Sequence, residues 1–291
     1  MNNKIKKITP ICTLMLAMLN GAALADNDPK DYTQFPAGTN FMTLYLAHSW
    51  GDELYAQGNK TADDYKFRLY VGVAKLTSYR TFGSRLFVGQ IALPYGNVSI
   101  DWDSAGFQQS STQIGDPTAL VGLWPYTSDD KKFQLGISGW VTAPLGEYDS
   151  NKAVNLGANR WVFKPETNIT YQIKPGLFLE TAAVLQIYTD NDDYLGSQIF
   201  EQNPVLTIEG HISKDVTSKL NISLYYFHHN GGETTIAGAT QNNPKNDHSL
   251  QTSLGYLFDS GVFTRIAYRN NFIVENGEKT QSAVLSVIKA F

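Results

Sequence analysis

The feature that most constrains this chain is an alternation of apolar and polar residues that runs too long for a soluble sheet. In RWVFKPETNITYQIKPG (160–176), Trp161, Phe163, Ile169, Tyr171 and Ile173 alternate with Lys164, Glu166, Asn168, Thr170 and Gln172. Successive side chains of a strand point to opposite faces, so a period of two marks a strand with one apolar and one polar face. Strands in soluble sheets run to about five or six residues. This one suits a wall with lipid on one side and water on the other. The pattern recurs in YKFRLYVGVAKL (65–76), FQLGISGWVTA (133–143), LFLETAAVLQIY (177–188), PVLTIEGHIS (204–213) and KLNISLYYFHH (219–229).

After the first 25 residues no apolar run reaches the length, about 18 residues, that a membrane-spanning helix needs. Mean hydropathy is −0.25, with 42% hydrophobic residues; a barrel tolerates this because only alternate residues meet lipid. The start of the chain reads as a secretory signal peptide (1–25). It has Lys4, Lys6 and Lys7, a short apolar core from Ile11 to Leu19, and the cleavage signal Ala23-Leu24-Ala25 before Asp26. The leader holds the single cysteine, Cys12, and three of the 23 basic residues but none of the 27 acidic ones, so the remainder has no disulfide and a charge of −7. That balance argues against nucleic acid as a partner. At the other end TQSAVLSVIKAF alternates and stops at Phe291. An amphipathic last strand ending in Phe resembles the signal read by the barrel-assembly machinery. Lys289 interrupts its apolar face, at a depth where a lysine can snorkel to the headgroups.

Twelve strands are expected, at 39–50, 63–76, 82–102, 113–125, 131–143, 158–173, 177–189, 199–213, 218–229, 247–258, 262–272 and 280–291. An even number suits a single-chain bacterial barrel. Connections near 77–81, 126–130, 174–176, 214–217 and 259–261 are short, and those near 51–62, 103–112, 144–157, 190–198, 230–246 and 273–279 are long and polar. Short periplasmic turns and long outer loops have this pattern. LPYG (93–96) is a bulge or a turn, and parity favours one bent strand over 82–102. Pro117 and Pro165 each remove a ladder donor and should mark a bulge or a gap. The expected architecture is all-β: a transmembrane antiparallel up-and-down β-barrel of the bacterial outer-membrane type over 39–291. A short periplasmic segment (26–38) precedes it and could tuck into the lumen. The rival is a soluble all-β sandwich or periplasmic barrel.

On this parity the polar faces line the lumen. They carry Lys66 and Arg68; Lys164, Glu166, Asn168 and Gln172; Glu180, Gln186 and Tyr188; Glu209 and His211; Asn221 and Tyr225; and Arg265 and Arg269. Such charges either form a constriction that selects solutes or pair across the bore and stiffen it. His211 lies near Glu209, but no G-x-S-x-G motif accompanies them. His228 and His229, adjacent on a strand, point to opposite faces and cannot share a metal. TDNDDYLG (189–196) lacks the spaced ligands of a calcium loop and reads as a solvated outer loop. GGETT (231–235) lacks the lysine of a phosphate loop. No enzyme activity, metal or cofactor is therefore expected. An aromatic girdle is expected, with Trp50 and Trp161 near the outer rim and Trp124, Tyr126, Tyr171 and Phe291 near the periplasmic rim.

Three blocks, GDPTALVGLWPY (115–126), APLGEYDSNKAVNLGANRWVFKPETNITYQ (143–172) and GGETTIAGATQNN (231–243), resemble the outer-membrane family named for the meta-pathway of phenol degradation. That family includes sphingosine-induced outer-membrane proteins, and NLGANRW is the most specific part of the match. The resemblance runs from near residue 38 to the C-terminus. It implies a barrel in the cell outer membrane whose relatives are regarded as transporters of hydrophobic or aromatic compounds, and it carries over no binding or catalytic residue. The expected function is passive uptake of a small hydrophobic or aromatic solute, with outer-membrane lipid and lipopolysaccharide as surroundings. The rivals are a structural or binding outer-membrane protein with a closed lumen, and a barrel-embedded hydrolase.

Overall fold

The computed structural model describes residues 27–291, and the expected leader lies outside them. Thirteen strands form one antiparallel sheet: β1 (Asn40–Gly51), β2 (Tyr65–Phe82), β3 (Arg85–Trp102), β4 (Phe107–Ile114), β5 (Thr118–Thr127), β6 (Phe133–Thr142), β7 (Val162–Lys174), β8 (Leu177–Tyr188), β9 (Val205–Asp215), β10 (Leu220–Gly231), β11 (Lys245–Leu257), β12 (Val262–Ile273) and β13 (Gln281–Ala290). β13 pairs with β1 from Ala290 opposite Phe41 to Gln281 opposite Trp50, which closes the sheet on itself. β4 and β5 both pair with β3, so they are two pieces of one wall, and the barrel has twelve walls. Closure is what lets a sheet's backbone polar groups cross lipid. Leu44, Ile91, Val121, Leu179, Leu224, Leu254 and Ile266 stand exposed on the outside, as a lipid-facing band requires.

Several strand ends differ from the sequence reading, while the expected continuity through LPYG holds. The first hairpin turns at 83–84 rather than 77–81, because β2 runs on to Phe82 and pairs with β3 without interruption. LPYG stays inside β3 as one continuous strand. Gly96 allows this, since a Cβ there would lie 2.2 Å from the Tyr70 carbonyl oxygen. The expected loop at 103–112 is mostly β4, and the wall breaks instead at Gly115, Asp116 and Pro117. There Tyr95 faces Ile114 while Ala92 faces Thr118, one residue extra against β3. The insertion moves the inward parity from Ser111 and Gln113 to Thr118 and Leu120.

Pro165 sits inside β7. Pairing with β8 skips from Glu166–Val184 to Phe163–Ile187 without a change of register, so the lost donor leaves a local gap. The outer connections are folded. Residues 54–56, 59–62 and 277–278 make one small sheet, and 191–194, 198–202, 234–236 and 239–240 make another. Tyr194, Phe200 and Ile236 form a buried cluster in the second, so TDNDDYLG is a packed element rather than a solvated loop.

Candidate functional site

Most of the expected lumen residues are in the bore. Lys164, Glu166 and Asn168 on β7, Glu180 and Gln186 on β8, Glu209 and His211 on β9, Asn221 and Tyr225 on β10, and Arg265 and Arg269 on β12 are all buried there. Gln172 keeps that face toward the periplasmic end, half-buried, and Tyr188 lines the central cavity. Lys66 and Arg68 are placed differently. The buried residues of β2, Tyr65, Phe67, Val71, Thr77 and Tyr79, all share one parity, so the two cations on the other parity face outward. Lys66 lies across from Asp101, and Arg68 pairs with Asp52 at 2.7 Å. Reading the apolar face of a strand as its lipid face fails here because β2 turns its apolar residues into the bore. Trp124 is inward too, packed with Tyr79, Val88 and Leu120, whereas Tyr126, Trp161, Tyr171 and Phe291 are exposed outside.

The bore is therefore apolar over one sector and polar over the rest. Phe67, Leu69, Val71 and Val73 of β2, with Ala92 and Pro94 of β3, form one side of a cavity of about 320 Å³. That volume lies at the small end of ligand-sized pockets, about 300–1,000 Å³. Lys164, Gln186 and Arg269 reach it from other walls. Buried cations are stabilised there by rings: Lys164 stands 5.3 Å over Trp140, and Arg269 3.9 Å over Phe227.

The periplasmic half is filled by a segment that precedes β1 in the chain. Residues 27–34, part of the segment expected to be periplasmic or tucked into the lumen, run inside the bore as a plug. The Asn27 amide donates to Glu166, and to Glu209 at 3.3 Å. Asp28 pairs with Arg265 at 2.8 Å, and Lys30 with Asp215 at 2.6 Å. The Lys30 backbone N–H donates to Glu180 at 3.0 Å. Tyr32 meets Ser138 through its hydroxyl at 2.8 Å, and its carbonyl accepts from the Trp124 indole at 2.8 Å. Burial works against the charge of Asp28, yet Arg265 and Lys75 hold its carboxyl below the ordinary range. Burial pushes the neighbouring Asp31 up. The acids that looked like a constriction are thus largely partners of the plug.

The outer half is filled by residues 143–161, anchored at the wall break. The Asp116 carboxylate accepts from Gly146 N at 2.9 Å and Ala158 N at 2.7 Å, so one side chain ties both limbs of this loop. Gly146 is obligatory there, since a Cβ would lie 2.5 Å from the Gly115 carbonyl carbon. Inward side chains of β4 hold the loop's backbone: Ser111 donates to Val154 O at 2.7 Å, and Gln113 accepts from Leu156 N at 2.8 Å. Val154 packs with Leu54, Tyr65, Phe67, Val98 and Ile100 under the outer mouth. Arg160 closes the loop, 4.4 Å from the Tyr188 ring and 4.8 Å from Phe200, and burial lowers it to about 10. The three blocks quoted above meet here. Asp116 comes from the first and the loop from the second. The third supplies Ile236, whose cluster includes Phe200.

His211 Nε2 lies 3.1 Å from Glu209. Ser213 follows on the same face of β9, but its hydroxyl has no hydrogen-bond partner among the described residues. No serine–histidine contact of the kind a hydrolase needs is made by it.

A closed twelve-walled barrel with a lipid-facing exterior, a charged bore and a plug belongs to the class of outer-membrane channels, and the chain is a protein of the cell outer membrane. It belongs to the family described as "Putative MetA-pathway of phenol degradation", which matches residues 51–287. Among solved structures it is similar to the COG4313 outer membrane channel from Pseudomonas putida F1, at 26% identity and a TM-score of 0.87 over 91% of this chain and 100% of that one. It shares its fold with the transport unit of the autotransporter AIDA-I from Escherichia coli (12% identity, TM-score 0.56, 98% of this chain and 97% of that one). The translocator domain of NalP from Neisseria meningitidis is similar as well (10% identity, TM-score 0.52, 89% and 90%). These are channels and transport units rather than enzymes. No curated protein sequence matches the chain.

Proposed function

We propose that the barrel takes up small apolar solutes, aromatic ones included, by passive diffusion. The observation that carries this is the inward strip Phe67, Leu69, Val71 and Val73, which gives a membrane channel an apolar track on one side of its central cavity. A porin for sugars or ions has no use for such a track, because apolar surface in a wet bore costs about 25 cal/mol for every Å² left exposed. An apolar guest covers that surface and regains the energy. Transport on this reading requires the plug and the 143–161 loop to give way, since they occupy the two halves of the path. The test is growth of a deletion strain on an aromatic hydrocarbon and on a sugar, complemented with the wild type and with Leu69→Asp. Slower growth on the aromatic substrate alone, rescued by the wild type and not by Leu69→Asp, is the expected result. Equal growth of the deletion strain and its parent on both sources refutes the reading.

A further inference from the structure

The plug carries its own carboxylates to the foot of the apolar strip. Along β2 the inward residues Phe67, Leu69, Val71 and Val73 lead to Lys75, and all line the same cavity. Asp28 and Asp31 of the plug line it as well, with Tyr45 and Arg265. Asp28 forms an ion pair with Arg265 Nη1 at 2.8 Å and accepts from the Tyr45 hydroxyl at 3.1 Å. Asp31 accepts from the backbone N–H of Asp28 at 3.1 Å. The Lys75 ammonium stands 5.1 Å over the Tyr45 ring. Arg265 is buried, its Nη2 reaches only the Pro29 carbonyl at 3.4 Å, and its Nε has no hydrogen-bond partner among the described residues. A guanidinium fork is shaped to hold a carboxylate with two nitrogens, so this seat offers more than Asp28 uses.

We propose that Asp28 and Asp31 stand in for the head group of the substrate. The substrate is then an amphipathic carboxylate: an apolar ring or chain that lies along the β2 strip, with a terminal carboxylate that takes Arg265 and Lys75 from the plug. This rests on the reading of the barrel as a path for apolar solutes and adds the charged group to it. A neutral hydrocarbon can cover the strip but leaves the plug's ion pairs in place. An anion exchanges one carboxylate for another, so buried Arg265 and half-buried Lys75 never stand uncompensated. A ligand shifts a docked segment only through its preference for the undocked state, and competition for the same cations supplies that preference.

The test uses the full-length mature barrel, titrated calorimetrically with 4-phenylbutyrate and with its neutral counterpart 4-phenylbutanol. The carboxylate is expected to bind about tenfold more tightly than the alcohol, the equivalent of one charge-assisted hydrogen bond. Arg265→Gln and Lys75→Gln should each erase that difference. Asp28→Asn, which removes the resident competitor, should tighten the carboxylate by about tenfold and leave the alcohol unchanged. A merely structural Asp28 would not produce tighter binding. Each variant is first checked for the heat-modifiable gel migration of a folded barrel, and Lys75→Gln carries the test if Arg265→Gln fails it. Equal affinity for the two probes, or weaker carboxylate binding by Asp28→Asn, overturns this proposal alone. Failure of both probes to bind, in the wild type and in Asp28→Asn, overturns the apolar path as well.

Discussion

Replacing Asp116 with alanine should release the loop that fills the outer half of the bore. The carboxylate accepts two backbone hydrogen bonds, from Gly146 N and Ala158 N, at 2.9 and 2.7 Å. A hydrogen bond to a charged group contributes about 1.5–3 kcal/mol, so the pair contributes about 3–6 kcal/mol before water returns to the freed amides. At about 1.36 kcal/mol per decade, the open fraction of the loop should rise by about two to four powers of ten. The strand ladders are not involved, so the barrel itself should stay folded. Trypsin reads the opening, because Lys152 and Arg160 are the cleavage sites in 143–161 and Arg160 is buried. When the loop recloses faster than it is cut, the cleavage rate follows the open population. Asp116→Asn should fall between the wild type and Asp116→Ala, since the amide keeps one acceptor oxygen. A wild-type cleavage rate in Asp116→Ala, on a folded barrel, would show that the loop is not held by this carboxylate.

Gly136→Ala places a Cβ 2.6 Å from Cδ1 of Tyr32. Such overpacking costs about 1–3 kcal/mol, and the open probability in planar bilayers should rise about 5- to 150-fold. Burial pushes Glu278 up to about 7 from 4.5, against the pull of Lys245. The folded outer sheet therefore keeps this proton after the unfolded chain has lost it. Its stabilisation is full below pH 4.5, falls by about 3 kcal/mol as the pH rises to 7, and is flat above that. Hydrogen-exchange protection factors of residues 54–62, which divide out the intrinsic pH dependence of exchange, should fall over that window, and in Glu278→Gln they should not. Lys66→Gln and Arg68→Gln should leave conductance and ion selectivity at wild-type values, because both side chains stand outside the bore; a changed selectivity would put them back in it.

Alternation along β7 to β12 reports the contrast between lipid and a polar bore, so Lys164, Glu166, Glu180, Glu209, His211, Arg265 and Arg269 could be oriented from sequence alone. The closure, the even strand number and the outer-membrane setting follow from the same periodicity, because only a closed sheet satisfies backbone groups in lipid. Along β2 the contrast is inverted near the outer rim. There Lys66 and Arg68 stand on the outward face, where Arg68 has Asp52 for a partner, and Phe67 meets the loop core inside. No local pattern records that, since parity fixes which residues share a face and not which face turns inward. Pro117 marks the wall break in the sequence and the segment 26–38 is free to enter the lumen, but the partners that fix the plug and the outer loop are not legible there, for a related reason. Asp28 with Arg265, and Asp116 with Gly146 and Ala158, are partners far apart along the chain. Their pairing depends on the curvature of the barrel and on how far a loop can reach into it, and only the closed tertiary structure sets either distance.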